Sequence, residues 1–172
     1  MKKTMDWKAV DAAVVTHQSS LIRYANSILR DLERSKDVVQ ETFFKLCKQE
    51  ESSLGDHLVP WLFRVTRNHA LDALRKEKRM SLYEDPETAT GYDQRAVSAL
   101  EEQRKGETIG SVLELVSSLP GKQRELVLLK FQQDLSYKEI SEVTGMTVSN
   151  VGYVLHHAIK ELKQQWNALE RG

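Results

Sequence analysis

The sequence predicts an all-α protein of two small helical domains joined by a flexible acidic linker, and three observations carry that prediction. Glycine and proline are scarce, eight and three among 172 residues, too few turn formers for a sandwich or barrel of many short strands. Apolar residues recur at helical spacing in two separate blocks. Between the blocks, the stretch MSLYEDPETATGYD carries Asp85-Pro86, Thr88, Thr90 and Gly91 and has no apolar period. The expected organisation is a domain over 1–80, a linker over 81–107 that turns helical towards its end, and a domain over 108–172.

Composition narrows the class of protein. Apolar residues make up 40% and charged residues 29% of the chain, the balance of a chain with a packed core. The single cysteine, Cys47, excludes an intrachain disulfide framework and a cysteine-rich zinc site. The start, MKKTMDWKAV, places Asp6 and Lys8 where a secretory signal would be apolar. No stretch approaches the ~18 uninterrupted apolar residues of a membrane span, so a soluble, cytoplasmic protein is expected.

The formal net charge is zero, 25 basic against 25 acidic residues, but the charges are segregated. From 59 to 79, six basic residues (Arg64, Arg67, Arg75, Lys76, Lys78, Arg79) face only Asp72 and Glu77. From 80 to 107 the sign reverses, with three basic residues against seven acidic ones. That asymmetry points to a local site for a polyanion beside an acidic connector.

Three helices are expected in the first domain. The first spans about Trp7 to Arg30, with Val10, Val14, Leu21, Ala25, Ile28 and Leu29 among its apolar positions. Ser35 is the expected N-cap of the second, in which Val38, Val39, Thr42, Phe43, Leu46 and Cys47 form the apolar stripe. Cys47 on that stripe reads as a buried structural thiol. Asp37, Gln40, Glu41, Phe44 and Lys45 are left on other faces. The loop KQEESSLGDH then leads to Pro60, well placed in the first turn of a third helix.

At 100° per residue, Arg64, Arg67, Asn68, Leu71, Arg75, Lys78 and Arg79 fall within about 60° of one meridian of that third helix. Leu62, Phe63, Thr66, Ala70, Ala73 and Leu74 fall opposite, and Trp61 lies at the edge of the basic stripe. A helix of about 20 residues is roughly 30 Å long, enough to follow several nucleotides. Clustered cations repel one another unless a polyanion is present. Asn68 and Trp61 add hydrogen bonding to base edges and stacking.

The second domain contains the most informative segment, LSYKEISEVTGMTVSNVGYVLHHAIKEL. Ser136 and Glu139 form a capping box, with Leu135 and Ile140 at the spacing of a hydrophobic staple. Gly145 can take the left-handed conformation that ends the short helix, and Thr147 caps the next, with Met146 and Val151 again at staple spacing. A short helix, a glycine turn and a longer helix constitute a helix-turn-helix, here over about 136–163. Ser141 is small where the helices approach, and Ile140, Val151, Val154 and Leu155 can fill the space between them. Thr147, Ser149, Asn150 and Tyr153 project from the part of the second helix that enters a major groove. His156, His157 and Lys160 follow, where backbone contacts are more usual. The nearby helix expected from Pro120, PGKQRELVLLKF, adds Lys122, Arg124 and Lys130 for phosphates.

Taken in order, DVVQETFFKL, PWLFRVTRNHALDALRKEKR, the acidic linker and SLPGKQRELVLLKFQQDLSYKEISEVTG resemble an extracytoplasmic-function (ECF) sigma factor of bacterial RNA polymerase, over nearly the entire chain. The resemblance implies a region-two and a region-four domain that direct core polymerase to promoters. Asp37, Gln40 and Glu41 would then dock on the clamp helices of the largest polymerase subunit. Trp61, Arg64, Arg67, Asn68, Arg75, Lys78 and Arg79 would hold the minus-ten element as it melts, with the loop from about Gln49 to Val59 helping to form a pocket for a flipped-out base. Thr147, Ser149, Asn150, Tyr153, His157 and Lys160 would read the minus-35 element. The linker would lie in channels later used by nucleic acid. An anti-sigma factor is the further expected partner; no cofactor, metal, small-molecule substrate or membrane insertion is implied. The chain departs from the family pattern at Gly152, Val154 and His157, where lysine or arginine is frequent, which implies weaker minus-35 contacts or more reliance on side-chain hydrogen bonds. The loop before Trp61 also lacks an aromatic often found in the family.

Three other classes compete, of which a pure protein-interaction module would make the basic stripe an accident. An enzyme would need a constellation of reactive groups, but His69 with Asp72, and His156 with His157, have no third ligand at a plausible spacing. No glycine-rich phosphate loop or nucleophile motif occurs. A polymerase-independent, dimeric helix-turn-helix regulator would explain residues 136–165 but leaves the basic helix and the polar face from Asp37 to Lys45 without a role.

Overall fold

The computed structural model describes residues 4–84 and 107–172, and these fall into two compact units. Among the described residues the regular structure is helical, apart from one isolated bridge between Thr4 and Glu50. The linker expected over 81–107 lies outside the described residues except at its two ends.

In the first unit, α1 spans Trp7–Leu29 and α2 spans Leu32–Cys47. They are joined by a two-residue turn in which Arg30 takes a left-handed conformation and donates its N–H to the Asn26 carbonyl. The α2 cap is Asp31, whose carboxylate accepts the Arg34 N–H at 3.1 Å. Ser35, expected to be that cap, instead lies inside the helix, fully buried, with its hydroxyl donating to the Asp31 carbonyl at 2.6 Å. Both residues have the chemistry of a cap. Ser35 is the one placed on the buried stripe, one turn before Val38 and Val39, and a small side chain suits that position.

The expected loop before Pro60 is largely ordered into a four-residue helix, α3 (Glu51–Leu54), and a 3-10 turn (Gly55–His57). Leu54 anchors it in the core, Gly55 turns it with a φ of 43°, and the Met5 N–H donates to the Gln49 carbonyl at 2.9 Å. The long helix α4 follows (Leu58–Glu84), with Pro60 in its first turn as expected and an end four residues beyond position 80.

The core of this unit is made where the three long helices meet. Leu21, Tyr24 and Ala25 of α1, Val39 and Leu46 of α2, and Leu62, Phe63 and Ala70 of α4 are almost completely removed from water. The Tyr24 and Phe63 rings meet edge to face at 5.3 Å, the arrangement favoured by aromatic quadrupoles. Two threonines are buried between α2 and α4, with hydroxyls 3.1 Å apart. Thr42 donates to the Val38 carbonyl, so the Thr66 hydroxyl is left to donate to Thr42 and both polar groups are satisfied. Cys47 is half-buried at the end of α2 rather than buried, because the helix ends there and the stripe loses its cover.

In the second unit, α5 (Glu107–Ser118) and α6 (Gly121–Val127) precede the helix-turn-helix. The helical run expected from Pro120 changes character at Leu128, where Leu128–Gln132 form a π turn closed by the Gln133 N–H on the Leu128 carbonyl at 3.2 Å. Asp134 then takes a φ of 54°. Next come α7 (Tyr137–Thr144) and α8 (Val148–Arg171). Leu126, Leu129, Leu135, Ile140, Val143, Val151, Leu155 and Ala158 form the core.

Candidate nucleic-acid interface

The basic stripe of α4 exists because its opposite side is consumed by the core. Leu62, Phe63, Thr66 and Ala70 are buried against α1 and α2, which turns Arg64, Asn68, Arg75, Lys78 and Arg79 outward, all exposed. Arg67 and Trp61 are half-buried at the flanks of this stripe. The two acids of the segment are both engaged. Asp72 accepts from Arg75 at 3.1 Å, and Glu77 accepts from Arg34 of α2 at 2.9 Å. Arg34 also approaches the Ala73 carbonyl at 3.4 Å. The Glu77 carboxylate is thereby turned towards α2, whereas Asp72 tempers the stripe at one position. Such a surface can hold phosphates electrostatically while Asn68 and Trp61 meet bases.

A second surface lies on α2. Asp37, Gln40 and Glu41 are exposed together, and their spacing places them on one face. One turn further on, Phe44 is 66% exposed. Sequence reasoning placed Phe44 off the apolar stripe without giving it a role; its signal was that it is an aromatic residue out of register with the core. His69 of α4 lies near the end of this face. Partial burial, then the Lys45 ammonium, hold its imidazole below the ordinary value, against the opposing influence of Glu41 and Asp72. His17 of α1 is lowered by burial alone.

The helix-turn-helix forms through the local signals read from its sequence. The Ser136 N–H donates to Glu139 at 2.7 Å, and the Glu139 N–H donates to the Ser136 hydroxyl at 3.1 Å, completing the capping box. Gly145 closes α7 with a φ of 75°. Ser141 does more than permit a close approach, since its hydroxyl donates to the Met146 carbonyl at 2.6 Å and ties the turn down. Thr147 caps α8 by accepting the Asn150 N–H at 3.2 Å. Val151, Leu155 and Ala158 are buried, so Ser149, Asn150, Tyr153, His156, His157 and Lys160 are left exposed along the other side of α8, with Thr147 at its start. Val154 is half-buried rather than central to the packing.

Two of the cations expected to reach phosphates have partners within this unit. Arg124 donates to the Ser117 carbonyl at 3.2 Å. Lys130 donates to the Leu135 carbonyl at 3.2 Å and sits 5.5 Å from the centre of the Tyr137 ring. Lys122 is exposed. The Tyr137 ring lies against Gly152, 3.4 Å from where a Cβ would stand. The Tyr153 and His157 rings are 4.4 Å apart.

Among the described residues, no three side chains of the metal-binding types come together, and no helix is long and apolar enough to cross a membrane. A helix with a cationic row on one unit and a helix-turn-helix on the other define a bipartite, all-helical DNA-binding protein.

Known proteins sharpen that class. Residues 13–80 match the family described as Sigma-70 region 2, and residues 109–162 match Sigma-70, region 4. The chain is 30% identical over 153 residues to the RNA polymerase sigma factor YlaC of Bacillus subtilis (strain 168), covering 86% of both chains. It is 27% identical over 158 residues to the ECF RNA polymerase sigma factor SigM of the same organism, covering 92% of this chain and 95% of SigM. In fold it is similar to the sigma factor RpoE, solved in complex with the anti-sigma factor NepR from Bartonella quintana, with a TM-score of 0.67, 19% identity, and coverage of 93% of this chain and 98% of that one. The chain belongs to the ECF sigma factors of bacterial RNA polymerase and acts in promoter-specific transcription initiation. The rival reading as a polymerase-independent regulator has no support, since region 2 is matched as well as region 4.

Proposed function

We propose that the two surfaces of the first unit and the exposed face of α8 divide the work of initiation. Asp37, Gln40 and Glu41, with Phe44 as an apolar anchor, dock on core polymerase. Arg64, Arg67, Asn68, Arg75, Lys78 and Arg79, with Trp61 at the edge, hold the minus-ten strand once it is unpaired. Thr147, Ser149, Asn150, Tyr153, His157 and Lys160 bind the minus-35 element. The working domains are 1–80 and 108–172, with 81–107 as the connector. The protein works in the cytoplasm, as a binding factor rather than an enzyme.

The observation that supports this reading best is the sidedness of α4, where one face closes a three-helix core and the other carries an exposed row of cations around Asn68. Opening a duplex requires that separated bases be captured by stacking and hydrogen bonding while cations hold the backbone. Neither DNA-binding surface needs high affinity alone, because tethering through polymerase raises its effective concentration. An anti-sigma factor fits as the restraining partner, as NepR is for the RpoE chain of similar fold.

Run-off transcription with core polymerase tests the proposal, using the region upstream of the protein's own gene as template. A discrete transcript that requires both this protein and core polymerase is expected. Retention of a palindromic duplex by the protein alone, with no transcript, would refute it.

A further inference from the structure

The groove-facing half of α8 is chemically unusual for a DNA reader. Residues 147–157 contain no lysine, arginine, aspartate or glutamate. The nearest cation along the helix is Lys160. Beside Gly152, the flank is covered by the Tyr137 ring, with the Lys130 ammonium 5.5 Å from that ring's centre and bonded to the Leu135 carbonyl. Besides Thr147, His156 and His157, this half of the helix exposes Val148, Ser149, Asn150 and Tyr153, the last at 65%. The Tyr153 ring is supported one turn on by His157, their rings 4.4 Å apart and inclined at 56°.

Each base pair has its own partner chemistry in the major groove. Guanine is most often read by arginine or lysine on N7 and O6, adenine by asparagine or glutamine on N6 and N7, and thymine by apolar contact with its methyl group. This surface lacks the first chemistry and holds the other two. Resting on the assignment of α8 to the minus-35 element, we infer that the protein reads that element as A·T pairs. Asn150 bonds adenine, and the Tyr153 ring, with Val148 at the helix start, packs on thymine methyl groups. Lys138 of α7 and Lys160 of α8, both exposed, hold the flanking phosphates and carry no base preference. Tyr153 and Asn150 are therefore the specificity-determining residues, and the departure at Gly152 exchanges a cationic contact for an aromatic flank.

The test uses holoenzyme assembled from the full chain and bacterial core polymerase. Promoter fragments randomised only in the upstream element are selected for transcription, and the best sequence is remade with deoxyuridine in place of thymidine in that element. Enrichment of A·T pairs is expected, with a loss of about fourfold in transcription for each thymine methyl removed from a contact. Asn150→Ala should cost about tenfold on the selected element and relax the preference for adenine at one position. Tyr153→Ser should make thymine and uracil templates equivalent. Enrichment of guanine or cytosine, or equal transcription from thymine and uracil templates with the unaltered protein, would overturn the inference while leaving α8 as the minus-35 reader. If no upstream preference emerges and Asn150→Ala has no effect, the assignment of α8 falls and the inference with it.

Discussion

The Arg34 guanidinium of α2 meets the Glu77 carboxylate of α4 at 2.9 Å, and through it the first turn of one helix is joined to the outer part of the other. Both side chains keep contact with water, so the pair is expected to be worth only about 0.2–1 kcal/mol. A double-mutant cycle with Arg34→Ala and Glu77→Ala, measured by urea unfolding, should return a coupling in that range that shrinks in high salt. A coupling of several kcal/mol would mean that the pair is more sheltered than its exposure indicates. Glu77 is also the acid next to Lys76 and Lys78, so Glu77→Gln should strengthen salt-sensitive binding of single-stranded DNA by the holoenzyme.

The two faces of the first unit should separate by experiment. Asp37→Ala, Glu41→Ala and Phe44→Ser lie on the α2 face, and all three positions are exposed, so folding should be nearly unaffected. Their combined effect should be a loss of at least about tenfold in affinity for core polymerase, read by competition in a fluorescence assay. Arg64→Ala and Asn68→Ala should leave that affinity unchanged and reduce promoter opening, read by permanganate reactivity of unpaired thymines. Equal losses in both assays from either set would refute the division of roles.

Which features could be read from the sequence depended on how local their causes are. The capping box at Ser136 and Glu139, the closure at Gly145 and the cap at Thr147 each involve a few neighbouring residues, and each forms as the local pattern dictates. The sidedness of α4 was equally readable, since a 27-residue helix offers many repeats of its period. Ser35 failed as a cap because Asp31 competes four residues earlier, and the outcome depends on which of them α1 and α4 bury. The π turn at Leu128–Gln132 and the internal bonds of Arg124 and Lys130 arise from packing and backbone geometry that residue type does not encode. The exposure of Phe44 was implicit in its register; its place beside Asp37, Gln40 and Glu41 became meaningful once that face was seen to be uncovered.

Acidity should weaken the first unit through its histidines. His17 and His69 are both held below their ordinary value, chiefly by burial, so the unfolded chain takes up their protons more readily than the folded one. The resulting stabilisation is fully present above the ordinary histidine value of about 6.5 and is lost as pH falls through it. Thermal unfolding at pH 7.5 and pH 5.5 checks the sign. The unaltered protein should lose more stability over that interval than a His17→Gln, His69→Gln double variant. An identical loss in the two proteins would show that other groups carry the acid sensitivity.

Gly152 offers a test in which stability and DNA contact change for different reasons. It sits within α8, where glycine costs roughly 1 kcal/mol relative to alanine. An added Cβ would stand 3.4 Å from the Tyr137 ring, close enough for van der Waals contact without a clash against backbone. Gly152→Ala is therefore expected to stabilise the second unit by up to about 1 kcal/mol in urea unfolding, and destabilisation would mean that the ring cannot give way. Gly152→Lys adds to that backbone effect a long cation beside the reading face. If α8 lies in the groove, the new ammonium should reach a phosphate and release a counterion. The slope of log affinity against log salt for holoenzyme on promoter DNA should then steepen by about one. Discrimination between thymine and uracil templates should persist, because Tyr153 is untouched. An unchanged slope would mean that DNA does not pass this flank of the helix.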